Sequence, residues 1–182
     1  GNVAHDNAEV EDLSVSVLRY PSAMATVTAS VVHHGERQAL TAQCEKACIA
    51  VPHQVYASQS LPTGFPREDP ELEEQLNRLY AAQPALPYEG HTAQIDNVLT
   101  CLEQGGTTPA ITGEDGRRTI ELITAIYKAG ATRQPVQLPL TPEDPFYTVA
   151  GIQAHAPHFY EKSASLADLG ENAVLPGNYF TR

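Results

Sequence analysis

The sequence predicts an α+β fold: an antiparallel β-meander followed by helices packed on one of its faces. Three observations carry this expectation. Residues 10–60 are dominated by short alternating or β-branched runs, composition shifts abruptly at Leu61, and the chain beyond Pro70 shows helical spacing of apolar residues. Sheet first and helices after is the order of an α+β domain, in contrast to the strict alternation of a parallel sheet.

Val10 to Tyr20 nearly alternates apolar and polar residues, and Met24 to Val32 reads MATVTASVV. The link Pro21-Ser22-Ala23 is short enough to close an antiparallel hairpin. A second turn at His34–Arg37 leads into ALTAQCE, CIAVP and QVYASQS, giving a meander of four or five strands. LPTGFPREDP then places three prolines and three charges in ten residues, a loop whose last proline suits the first turn of a helix.

That helix is expected over Glu71–Ala82, with Glu71, Glu73 and Glu74 at the positive end of its dipole and Leu72, Leu76 and Leu79 along one face. A second helix is expected from His91 to about Glu103, ended by Gly105-Gly106, with Ile95, Val98, Leu99 and Leu102 turned onto the sheet. Thr112 followed by Asp115 forms a capping-box pattern ahead of RRTIELITAIYKAG, with Gly130 as the stop. PVQLPL reads as an edge strand between prolines. From Thr141 the chain looks irregular, an arm that would lay Phe146, Tyr147, Phe159, Tyr160 and Phe180 on another surface. One domain over 1–147 and an arm over 148–182 is the expected organisation.

Composition narrows the function. Eleven Lys and Arg against 22 Asp and Glu leave a charge of -11 over 182 residues, which repels nucleic acid and anionic membrane surfaces. The apolar runs are too short to span a bilayer. Three cysteines suit a reducing compartment, so a cytoplasmic location is expected. Cys44 and Cys48 share C-x3-C spacing without two further zinc ligands nearby, and His155 and His158 are split by a proline, so no metal site is expected. There is no G-x-G-x-x-G, Walker or G-x-S-x-G sequence, so no cofactor is expected to bind this chain alone. The candidate substrate-binding residues are Tyr88 and His91, on either side of Glu89-Gly90 at the start of the second helix, where an imidazole could face a hydroxylated ligand.

The string from Glu89 to Leu140, with its "G..P" turn, its Gly113-Glu114-Asp115-Gly116-Arg117 helix start, Ala125-Ile126-Tyr127 and Val136-Gln137-Leu138-Pro139, resembles the C-terminal domain of the Gfo/Idh/MocA oxidoreductases. Val10-Glu11-Asp12 and the hairpin after it look like that family's "V-E-D" strand, and CEKACIAVP like its strand before an excursion loop. The resemblance implies an NAD(P)-dependent oxidoreductase of sugars, polyols or similar hydroxylated substrates. In such a parent an N-terminal Rossmann domain binds NAD or NADP and supplies the catalytic residues upstream of this chain. The domain seen here would shape the substrate pocket and self-associate through its sheet. Glu45-Lys46-Ala47 echoes the family's catalytic E-K-P, but it lies inside the meander and is not carried over. The rival expectation is a non-catalytic binding or oligomerisation module derived from that domain.

Overall fold

A computed structural model describes residues 1–161 apart from 7 and 36. The fold is mixed α and β, with antiparallel sheets of two and four strands ahead of four α-helices. The described residues gather into two compact units, one made of the chain before Glu36 together with residues 106–161, the other of the chain between Gly35 and Gly106.

In the first unit β1 (Leu13–Arg19) and β2 (Met24–Ser30) form the expected hairpin, in a register pairing Leu13 with Ser30 and Arg19 with Met24. Leu13 and the residues before it are fixed by Asp12, one of the few buried polar side chains. Its carboxylate accepts the backbone N–H groups of Val3 (2.9 Å), Ala4 (2.9 Å) and His5 (3.2 Å), and His5 Nδ1 at 3.0 Å. Asn2 completes this loop by donating to the carbonyls of His5, Ala8 and Val10.

The longest helix, α3 (Gly113–Thr132), starts where the capping box predicts: Thr112 Oγ1 accepts from the Asp115 N–H, and the Asp115 carboxylate accepts from the Thr112 N–H. Gly130 does not stop it. The helix runs on to Thr132, and Arg133 takes the left-handed conformation at φ 56°, its N–H bonded to the Ala129 carbonyl. PVQLPL is not a strand. Pro135 and Pro139 have no N–H to give a ladder, and the Leu140 N–H is taken instead by the Glu121 carboxylate of α3 at 2.7 Å. Nor is the chain after Thr141 irregular throughout: a 3₁₀ turn at Pro145–Tyr147 and a short helix α4 (Val149–His155) follow, with caps from Asp144 and Thr148. Phe146 is 2 % exposed and joins Ala125 and Leu140 in a small core. A Cβ added to Gly151 would lie 1.7 Å from the Pro145 carbonyl oxygen, so only glycine allows α4 to approach that turn. Phe180 lies outside the described residues.

In the second unit β3 (Leu40–Gln43), β4 (Ala47–Val51), β5 (Gln54–Gln59) and β6 (Arg67–Glu68) follow one another in an antiparallel meander. The meander expected over 10–60 is therefore split in two, with bends at 31–35 and Gly35 at φ 78° ending the first ladder. Helix α1 (Pro70–Ala81) lies against β5, where Val55 and Ala57 are buried. Asp69 caps it by accepting the Leu72 N–H and also accepts from the Gln59 amide at 2.7 Å. His53 at the β4–β5 turn stacks on Tyr80 of α1, with ring centroids 3.6 Å apart, and its Nε2 meets Asn77 Oδ1 at 2.9 Å. Helix α2 (Gly90–Gln104) completes the unit.

Burial pushes the Asp12 carboxyl up, but the N–H groups of Ala4 and Val3 and the His5 ring outweigh it and hold the group at about 2. A depressed carboxyl stabilises the fold above its unfolded value of 3.8, and that contribution fades as pH falls toward 2. Asp12→Ala, which orphans three N–H groups, should lower Tm by roughly 5 °C or more at pH 7. The difference from wild type should shrink in melts between pH 4 and 2.

Candidate functional site

The start of α2 is built from a loop that cannot hydrogen-bond densely, because Pro84 and Pro87 interrupt it. Glu89 occupies the N-cap in extended geometry without a side-chain cap bond, and Gly90 enters the helix at φ 58°. Tyr88 and His91 flank this pair, both exposed. His91 Nδ1 lies 3.1 Å from Gln94 Oε1, one turn further on. The amide oxygen can only accept, so Nδ1–H is the donor in that contact.

The apolar stripe of α2 does not turn onto a sheet as expected. No residue of the helix is buried, and Ile95 and Leu102 are 60 % and 73 % exposed. Spacing defined the stripe correctly, but a stripe says nothing about what covers it. The helix beside the sheet in this unit is α1.

The other candidates also find places. Gln43 faces Cys48 across the β3–β4 ladder and Cys44 pairs with Ala47, so the two thiols project from opposite faces. Cys48 Sγ accepts from the Gln43 amide. His155 Nδ1 donates to the Gly151 carbonyl at 2.8 Å, and its ring lies against Phe146. Among the described residues no group of three or more His, Cys, Asp or Glu side chains is arranged to hold a metal ion, and no helix is long and apolar enough to cross a membrane.

Several polar ties had no local signal. Glu11 accepts from the Tyr127 hydroxyl, 116 residues away. Lys128 donates to Asp144. Glu9 and His158 meet across 149 residues, beside an open depression of about 430 Å³ lined by Glu9, His158, Phe159, Tyr160 and Glu161.

Compared with known families, residues 2–138 match the model described as the oxidoreductase family, C-terminal alpha/beta domain (GFO_IDH_MocA_C). The chain belongs to this oxidoreductase family. No curated protein and no solved structure matches it.

Within this oxidoreductase-family domain, the residues that carried the resemblance do architectural work. Glu11 and Asp12 tie β1 to Tyr127 and to the N-terminal loop, while Gly113–Arg117 is the capped start of α3. That start does not fit a dinucleotide pyrophosphate: Asp115 fills the N-terminal turn with its own carboxylate, and Glu114 beside it binds Arg117. Gly105 and Gly106 lie at the other end of a helix, with φ values of 60° and 79°, after the C-terminus of α2.

The bond to Glu11, then burial, pushes the Tyr127 hydroxyl up to about 12 from an ordinary 10. The neutral phenol is the bonded form, so its stabilisation is complete below pH 10 and lost as pH rises through 12. Tyr127→Phe should cost about 1 kcal/mol in urea unfolding at neutral pH. Spectrophotometric titration of the wild type should show one tyrosine ionising near pH 12 that is absent from the variant.

Proposed function

We propose that this domain binds the substrate and mediates self-association in an NAD(P)-dependent oxidoreductase acting on a sugar, polyol or similar hydroxylated compound, with the nucleotide carried by a separate Rossmann domain. The family match over residues 2–138 carries this reading. The capped start of α3 supports the division of labour, because its own carboxylates occupy the turn a phosphate would need.

Tyr88 and His91 are the proposed substrate contacts. Both are exposed on one short stretch, and the His91 contact to Gln94 engages Nδ1, leaving Nε2 as the ring atom proposed to meet a hydroxyl. Self-association is supported by the hairpin. Register and alternation place Val15, Val17, Thr26, Thr28 and Met24 on one face, and Val15, Val17 and Met24 are exposed there. The same face favours a second reading, a non-catalytic oligomerisation module.

In the complete enzyme, His91→Asn should lower kcat/KM roughly tenfold, about 1.4 kcal/mol, mostly through KM and with Tm unchanged. Unchanged kinetics with lowered stability would make His91 a helix-start residue only. Titration calorimetry of this chain alone should show no binding of NAD(H) or NADP(H) tighter than about 1 mM. Sedimentation at tens of micromolar should show a self-associated species that Val15→Lys or Val17→Lys disperses. Self-association without any redox turnover in the complete protein would favour the second reading.

A further inference from the structure

His158 lies in the short segment after α4, and two oxygen acceptors face its ring. Nδ1 is 2.7 Å from Glu9 Oε1, and Nε2 is 3.3 Å from the Gln153 carbonyl oxygen. A carboxylate and a carbonyl offer only lone pairs, and a neutral imidazole has a single N–H. Neutral His158 would therefore set a lone pair against one of the two oxygens, whereas the imidazolium donates to both. Glu9 also accepts the Phe159 N–H through its backbone carbonyl at 3.1 Å, so one residue of the N-terminal loop is gripped twice by the same segment.

We infer that His158 is a proton-operated clasp, which holds residues 156–161 on the N-terminal loop when its ring is doubly protonated and releases them when the ring loses a proton. The neighbouring groups agree with this assignment. Glu9 is the carboxylate facing the ring from the N-terminal loop, and Tyr160 and Glu161 of the clasped segment line the same depression. From α4, His155 donates through Nδ1 to the Gly151 carbonyl and lies against Phe146.

The Gln153 carbonyl, then Glu9, raises the His158 pKa above its ordinary 6.5. A raised histidine contributes its full stabilisation below 6.5, and that contribution is lost as pH rises through the folded value. The clasp is closed below pH 6.5 and opens as pH rises through the folded value of His158. The pair is half exposed, so release frees this segment without unfolding the core.

NMR titration of the full chain, following the His158 ring nitrogens, tests the inference together with hydrogen exchange at the Phe159 amide. His158 should titrate above 6.5, with both nitrogens protonated at the acid end. After correction for intrinsic exchange, Phe159 protection should fall about fivefold as pH rises through the His158 midpoint. His158→Gln should abolish that pH dependence. Glu9→Gln should lower the His158 midpoint while leaving its ring observable, a direct reading even if the first variant folds poorly. A His158 midpoint at or below the ordinary value, or wild-type pH dependence of Phe159 protection in His158→Gln, would overturn the clasp.

Discussion

The bond between the Glu11 carboxylate and the Tyr127 hydroxyl joins the segment leading into the first strand to the longest helix, and the first unit is organised around that tie. Glu11 and Asp12 are adjacent, so one reaches α3 while the other gathers the N–H groups of residues 3–5. The same helix takes hold of the chain that follows it. Glu121 accepts the Leu140 N–H, and Lys128, two turns on along one face, holds Asp144, which in turn caps the 3₁₀ turn carrying Phe146. Ala125 lies between these two anchors and is buried. The ties to Glu11, Leu140 and Asp144 all converge on this one helix, so they order its neighbours together.

The second unit is held differently. Its sheet buries little beyond Val55 and Ala57, and α1 is fixed to it by polar and stacking contacts at two ends. Asp69 links Gln59 of β5 to the first turn of α1, and His53 lies flat on Tyr80 near its last turn. Gln59 Oε1 also accepts from Arg67, which draws the short β6 alongside. An acidic chain with a modest apolar core uses charge-assisted bonds where a larger domain would use volume.

Features encoded within a few residues were legible in the sequence. The β1–β2 hairpin, the Pro70 and Thr112 helix starts and the glycines after α2 all depend on neighbours no more than about four positions apart. The sequence misled where a local pattern had two physical outcomes. A glycine such as Gly130 can end a helix or be carried through one, and a Pro-flanked apolar run such as 135–140 can border a sheet or dock on a helix. Tyr88 and His91 could be singled out by position, but their surroundings could not, because periodicity marked the α2 stripe without naming its cover. Glu11 with Tyr127 and Glu9 with His158 left no trace at all, since each pairing joins residues more than a hundred positions apart.

Among the described residues the first sheet is a ladder of two strands, and beyond Leu13, whose N–H and C=O are both bonded to Gly1, β1 and β2 pair only with each other. Arg19 is the one charged side chain in their fourteen positions, and neither strand contains a proline. Charge and proline are what ordinarily blunt such an edge. The uncovered stretch of the hairpin therefore lacks the features that ordinarily discourage pairing with another extended segment. At high concentration that segment would come most readily from other molecules, and handling conditions that keep the -11 charge unscreened would be the simplest safeguard against fibrous association.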